Sequence, residues 1–128
     1  MEKTKNVNEK IKEILNKAIA SHFTWKVRLK NMIDLGESNL SIQDIRDDSL
    51  CEFGKCLNSL SKEYAENEYY QNIKNLHTEF HINAAKIVLI ALSGHKERAN
   101  ELFLSRDSDF VKNSTLLTLE LSEWRDSL

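Results

Sequence analysis

The chain has 128 residues, of which 41% are apolar, with no proline and only three glycines. A chain of this length supports one hydrophobic core, so we expect a single domain over residues 1–128. The lack of proline and the scarcity of glycine argue against a sheet with many tight turns and predict an all-α fold. A formal net charge of −2 gives no general attraction to nucleic acid or to an anionic membrane, and neither is an expected partner.

Hydropathy and the two cysteines indicate the cellular setting. No apolar run approaches the roughly 20 residues that a membrane span requires, and residues 1–12 are charged rather than signal-like. We therefore predict a cytoplasmic protein. Cys51 and Cys56 lie five positions apart in a segment that we expect to be helical, where their side chains would point in different directions. A disulfide framework is not expected, which favours metal or thiol chemistry.

The first predicted helix covers residues 7–35, and Gly36 follows it as a helix stop. Its core-facing positions recur at steps of three and four residues, which is typical of an amphipathic helix. These positions are Ile11, Leu15, Ala18, His22, Trp25, Leu29 and Met32. The polar and irregular segment 38–48 is interpreted as a loop.

A short second helix is predicted to begin at Ser49. Ser49 and Glu52 have the spacing of a capping box, which places Cys51 in the first turn of this helix. Amide groups at a helix N-terminus stabilise negative charge, so this position would help to hold a thiolate.

The second half of the chain predicts a long helix over residues 63–92, ending at Ser93 and Gly94, and further helices over residues 96–104 and 109–128. The long helix has an apolar stripe of Tyr70, Ile73, His77, Phe80, Ala84, Ile87 and Ala91. We expect these helices to form an antiparallel four-helix-type bundle, with the short helix that carries Cys51 as an addition.

Three histidines and one cysteine are candidate metal ligands. His77 and His81 are four positions apart, so on a helix their imidazoles project from one face and can chelate one ion. His22 occupies a core-facing position, where an imidazole loses hydration unless both of its nitrogens find partners. Cys51 adds a thiolate, and three imidazoles with one thiolate suit Zn²⁺ better than Mg²⁺ or Ca²⁺.

Each of these residues also has a purely structural interpretation. A histidine on an apolar face is often a hydrogen-bonded core residue, and a histidine pair at helical spacing also arises on exposed surfaces. A single cysteine is often a small buried hydrophobe. The residues taken one by one leave these alternatives open.

Three motifs follow one another along the chain: His22-Phe23-Thr24-Trp25, then Cys51-Glu52-Phe53-Gly54-Lys55-Cys56, then His77-Thr78-Glu79-Phe80-His81. In order and spacing they resemble the chemoreceptor zinc-binding domain family. The family pattern is a histidine followed closely by an aromatic residue, a Cys-x-x-Gly-x-aromatic segment and a His-x-x-x-His pair. The resemblance covers nearly the whole chain and implies one zinc ion held by a set of four ligands: His22, Cys51, His77 and His81.

Cys56 departs from this pattern, and His95 lies outside it. Cys56 stands where these domains usually carry tryptophan or another bulky apolar residue, and we interpret it as a packing variant, with a second redox centre as the alternative. His95 has no counterpart in the motifs, and it follows Gly94 at a helix end. We expect a surface or capping role for His95.

The resemblance implies regulation rather than catalysis. Such domains accompany cytoplasmic chemoreceptors and diguanylate cyclases, where zinc occupancy or thiolate oxidation changes the signalling output. We therefore expect a zinc-binding sensory domain that signals zinc availability or thiol oxidation to a chemotaxis or cyclic-di-GMP output. Homodimerisation is compatible with the resemblance and with a leftover apolar face of a bundle.

Three other functions are alternatives to this one. A metal-free helical adaptor or dimerisation bundle would have the same fold but no metal site. A zinc hydrolase needs an open coordination position and a general base, and no His-Glu-x-x-His segment supplies that base. A di-iron bundle needs several inward carboxylates with Glu-x-x-His spacings, which do not stand out among the core-facing positions.

Overall fold

The computed structural model describes residues 2–48 and 51–128, and the regular elements within these ranges are all helices. The longest are α1 (Glu2–Leu35), α5 (Glu68–Leu92) and α7 (Asp109–Ser127). The shorter helices are α2 (Ile42–Arg46), α3 (Glu52–Ser59), α4 (Ser61–Tyr64) and α6 (Lys96–Leu104). The prediction of an all-α fold is confirmed.

Local chemistry explains where the long helices begin and end. Asn67 and Ser108 precede α5 and α7, and each side-chain oxygen accepts a hydrogen bond of 3.1 Å from a backbone N–H three residues later. Gly36 ends α1 with φ +65°, and Gly94 follows the end of α5 with φ +91°. Both glycines adopt left-handed backbone without the penalty that a Cβ would impose, as the predicted helix stops require.

Helix α5 lies at the centre of the packing and contacts α1, α2, α3, α6 and α7. Helices α1, α6 and α7 also contact one another. The apolar stripes predicted from the sequence form the core, and burial of these side chains supplies the main driving force for folding. The most completely buried side chains of the core include Leu15, Leu29, Ile73, Phe80, Val88, Leu117, Leu121 and Trp124.

The segment predicted as a loop, residues 38–48, contains a helix, so this prediction is wrong over residues 42–46. Helix α2 begins after Ser41, whose Oγ accepts a hydrogen bond of 3.1 Å from the Asp44 N–H. Ile45 of this helix is fully buried. A five-residue helix has too short a pattern to be read from periodicity, and its stability comes from packing against α5.

Two other boundaries also differ from the prediction. Helix α3 begins at Glu52, so Cys51 is its N-cap rather than a residue of its first turn, and Ser49 lies outside the described residues. The long helix predicted from residue 63 starts only at Glu68, because Asn67 caps it and α4 ends at Tyr64. Among the described residues, no helix combines the length and apolar character needed to cross a lipid bilayer.

Candidate metal centre

Cys51 is held at the start of α3 by its own side chain. Its Sγ accepts a hydrogen bond of 3.2 Å from the Gly54 N–H, which is the usual contact of an N-cap residue. The side chain is buried, with 6% of the residue exposed. The N-terminus of α3 therefore fixes the sulfur at the edge of the helical core, with backbone N–H groups directed at it.

His77 and His81 bring their imidazoles to this sulfur from one face of α5. The Nε2 of His77 lies 3.3 Å from Cys51 Sγ, and the Nε2 of His81 lies 3.4 Å from it. The ligand atoms of the three residues all lie within 4.8 Å of one another, and all three residues are buried. The ligand atom of Cys51 therefore lies close to those of His77 and His81, although Cys51 is far from this pair in the sequence.

The orientation of His81 is fixed by α2. Its Nδ1 lies 2.7 Å from the backbone oxygen of Ile45, and a carbonyl oxygen only accepts hydrogen bonds, so Nδ1 carries the hydrogen. The lone pair of the neutral ring is then on Nε2, the nitrogen that faces Cys51. A backbone carbonyl in this role is a common outer partner of a metal-binding histidine.

Aromatic side chains fix the other ring positions. Phe53 stacks on His77 with ring centroids 4.3 Å apart and an interplanar angle of 9°. Trp25 meets His81 edge-on at 5.1 Å. Phe80 packs between His81, at 5.5 Å, and His22, at 4.5 Å. These contacts leave the rings little room to rotate, which preorganises the donor nitrogens.

His22 lies in the same buried region, outside the three-residue cluster. It is 5% exposed, and its Nε2 lies 2.9 Å from Ser114 Oγ on α7. Its Nδ1 is buried without a hydrogen-bond partner. A buried ring nitrogen that lacks a partner is costly, and Nδ1 of His22 has no hydrogen-bond partner among the described residues.

Burial sets the protonation of the site. Loss of hydration lowers the pKa of His22 to about 4 and that of His77 to about 3, so both rings are neutral at physiological pH. Burial also raises the pKa of the Cys51 thiol, against the opposing effect of the Gly54 N–H. Without a metal, the group at Cys51 is therefore a thiol, which must release its proton to bind a cation.

The donor set fits a soft or borderline metal ion. Two imidazole nitrogens and one sulfur converge in a buried site, and no carboxylate belongs to the cluster among the described residues. Such nitrogen and sulfur donors suit Zn²⁺ and fit Mg²⁺ or Ca²⁺ poorly. The fold and the site together define an all-helical metal-binding domain with a Cys/His/His centre.

The comparisons with known proteins agree with this definition. The family model described as "Chemoreceptor zinc-binding domain" matches residues 22–88, which is more than half of the chain. The chain belongs to this family, and the resemblance noted in its sequence is confirmed over residues 22–88. Comparisons with curated proteins and with solved structures gave no match.

Two residues singled out in the sequence lie apart from the cluster. Cys56 is half-buried on α3, and burial raises the pKa of its thiol. His95 is exposed and precedes α6 as its N-cap residue, without a capping hydrogen bond from its side chain.

The outer partners of the site were not apparent from the sequence. These are the Ile45 carbonyl, the Ser114 hydroxyl and the Asp48–Thr78 pair. A backbone carbonyl leaves no signal in sequence, and single serine, threonine or aspartate residues are too common to stand out.

Proposed function

We propose that this chain is a sensory domain that holds one zinc ion through His22, Cys51, His77 and His81 and reports zinc occupancy or thiol oxidation to a signalling partner. The observation that carries the proposal is the approach of His77 Nε2 and His81 Nε2 to within 3.3 and 3.4 Å of Cys51 Sγ in a buried site. Membership of a family described as zinc-binding supports the choice of metal.

The unpartnered nitrogen of His22 supports its inclusion as the fourth ligand. If Nε2 donates its hydrogen to Ser114 Oγ, the lone pair lies on Nδ1, the atom that lacks a partner. Phe80 packs against both His22, at 4.5 Å, and His81, at 5.5 Å, so the His22 ring lies near the cluster. Three imidazoles and one thiolate would complete a tetrahedral zinc shell with no position left for a reacting water, which favours regulation over hydrolysis.

The bundle arrangement supports a conformational response. Hydrogen bonds join His22 to Ser114 and Asn16 to Arg125, so the earlier residue of α1 pairs with the later residue of α7. Helices α1 and α7 are therefore antiparallel, and we infer that the long helices form an antiparallel four-helix-type bundle. The proposed ligands come from α1, the start of α3 and α5. Zinc would cross-link these three elements, so the free energy of binding would stabilise their contacts.

Cys51 is also the proposed point of redox control. A cleft of about 490 Å³ between α1 and the α2–α3 region reaches this residue and is lined in part by Trp25 and Arg28. Oxidation of the thiolate to sulfenic acid would weaken its bond to zinc and imitate zinc loss. The output is proposed to be a chemotaxis or cyclic-di-GMP pathway, and homodimerisation remains a prediction.

Metal content tests the proposal directly. Purified chain should contain close to one zinc per molecule by inductively coupled plasma mass spectrometry, and His22→Ala and Cys51→Ala should both lose it after identical dialysis. His95→Ala is the matched control, because this exposed histidine lies outside the site.

Each outcome of this experiment decides a different part of the proposal. A wild-type chain that takes up no zinc, even when zinc is supplied, would overturn the function. Zinc that is retained in His22→Ala but lost in Cys51→Ala would remove His22 from the ligand set and keep the Cys/His/His centre.

A further inference from the structure

Asp48 lies beside the three clustered residues although it supplies none of the clustered ligand atoms. Its Oδ2 accepts a hydrogen bond of 2.6 Å from Thr78 Oγ1, and its backbone oxygen lies 3.6 Å from Cys51 Sγ. Thr78 directly follows His77 on α5. The negative charge of this carboxylate affects the pKa values of all three clustered residues, Cys51, His77 and His81.

Thr78 holds this carboxylate in place. Its hydroxyl has one hydrogen and two acceptors within reach, Asp48 Oδ2 at 2.6 Å and the Lys74 backbone oxygen at 3.1 Å. The shorter contact is to the charged acceptor, and charge-assisted hydrogen bonds are the stronger ones. Helix α5, which carries two of the clustered residues, therefore also fixes the position of the nearby negative charge.

Among the described residues, no cationic side chain forms an ion pair with Asp48 within 4 Å. The side-chain ion pairs within 4 Å in the described part of the chain lie elsewhere, on α1, α6 and α7. Lys74 lines a small cavity of about 60 Å³ together with Asp48 and His77, but it does not form an ion pair with the carboxylate. The half-buried Asp48 carboxylate therefore lines the same small cavity as His77 and has no ion-pair partner within 4 Å among the described residues.

Zinc binding would create a positive charge at this position. Before binding, three neutral imidazoles and one thiol carry no net charge. After binding, the ion contributes +2 and the thiolate −1, with the thiol proton released to solvent, so the site carries +1. In a partly buried site of low effective dielectric, a nearby carboxylate favours this change.

We propose that Asp48 is the charge-compensating residue of the zinc site, positioned by Thr78, and that it raises the zinc affinity of the chain without acting as a ligand. This inference rests on the proposed zinc-binding function. Packing of the core does not require an aspartate at this position, because Asp48 is only half-buried.

The test compares the zinc affinity of four proteins by competition with a chromogenic chelator. Asp48→Asn keeps the shape of the side chain and removes its charge, and we expect a loss of about 10- to 100-fold in affinity. Thr78→Val keeps the charge and removes its anchor, so its loss should be smaller. Glu123→Gln removes an exposed carboxylate on α7 and should bind zinc as the wild type does.

Cobalt substitution separates charge from coordination. The visible absorption of Co²⁺ bound to Asp48→Asn should match that of the wild type, because the ligands are unchanged and only the affinity falls. Asp48→Asn that binds zinc as tightly as Glu123→Gln would overturn the inference, and so would a changed Co²⁺ spectrum, which would make Asp48 a ligand. Absence of zinc binding by the wild type would instead overturn the proposed function.

Discussion

His22 and Ser114, which are 92 positions apart in the sequence, are joined by a hydrogen bond of 2.9 Å between Nε2 and Oγ. Both residues are buried, so the bond ties α1 to α7 inside the core. It also occupies one nitrogen of the ring and leaves Nδ1 without a partner. If Nε2 donates this hydrogen bond, the lone pair of the ring lies on Nδ1, the nitrogen that the proposed zinc site would use.

Ser114→Ala should therefore weaken zinc binding by about 10-fold or more, because His22 loses the partner that orients its ring. The metal-free chain should lose about 1–3 kcal/mol of stability, since a second ring nitrogen is left unsatisfied. Chelator competition and urea unfolding measure the two effects. Thr115→Ala is the matched control, because this exposed hydroxyl bonds only to its own helix at the Val111 oxygen. Equal zinc affinity in the two variants would contradict the role of Ser114.

Phe53 supports His77 by stacking on its ring, and it is 1% exposed. Phe53→Leu keeps an apolar side chain but removes the stacked surface, so His77 gains freedom to rotate and zinc affinity should fall by at least severalfold. Phe103→Leu is the control, because Phe103 stacks on Phe110 rather than on a histidine. Both variants should lower stability in urea, and only Phe53→Leu should weaken zinc binding. Unchanged affinity in Phe53→Leu would show that the stack does not orient His77.

The stability of the metal-free chain should depend on pH. The folded chain keeps His22 and His77 neutral down to about pH 4 and about pH 3, because burial lowers their pKa values, whereas the unfolded chain takes up these protons near pH 6.5. The stabilisation is therefore complete above pH 6.5 and is lost as the pH falls from 6.5 towards 4. Urea unfolding with a chelator present, from pH 7.5 to pH 4.5, measures the slope. His22→Gln should reduce the dependence of the unfolding free energy on pH. A wild-type unfolding free energy that does not change with pH would contradict the burial of these histidines in their neutral form.

Cys56→Ala should leave the metal site intact. Cys56 is half-buried on α3 and does not belong to the cluster formed by Cys51, His77 and His81. We expect wild-type zinc content and an unchanged thiolate-to-metal charge-transfer band after substitution with Co²⁺. Cys51→Ala should lose this band. Loss of the band in Cys56→Ala would instead identify Cys56 as the thiolate ligand.

Much of the architecture could be predicted from local patterns. The stripe from Ile11 to Met32 and the one from Tyr70 to Ala91 identify α1 and α5 because burial on one face of a helix imposes a repeat of about 3.6 residues. Gly36 and Gly94 end these helices because only glycine adopts φ values of +65° and +91° without strain. Helix α2 was not predicted because its stability comes from packing against α5 rather than from a local pattern.

The sequence by itself determined the all-helical fold through composition and periodicity, and the family through the order and spacing of three motifs. It also determined the pairing of His77 with His81, which depends on spacing along one helix. The motif around Cys51 also identified this residue as a candidate metal ligand. Only the tertiary structure decided that Cys51 meets this pair, that the Ile45 carbonyl selects the His81 nitrogen, and that Ser114 and Asp48 lie beside the site. These contacts join residues that are far apart in the chain, and their formation depends on how whole helices pack rather than on any local preference.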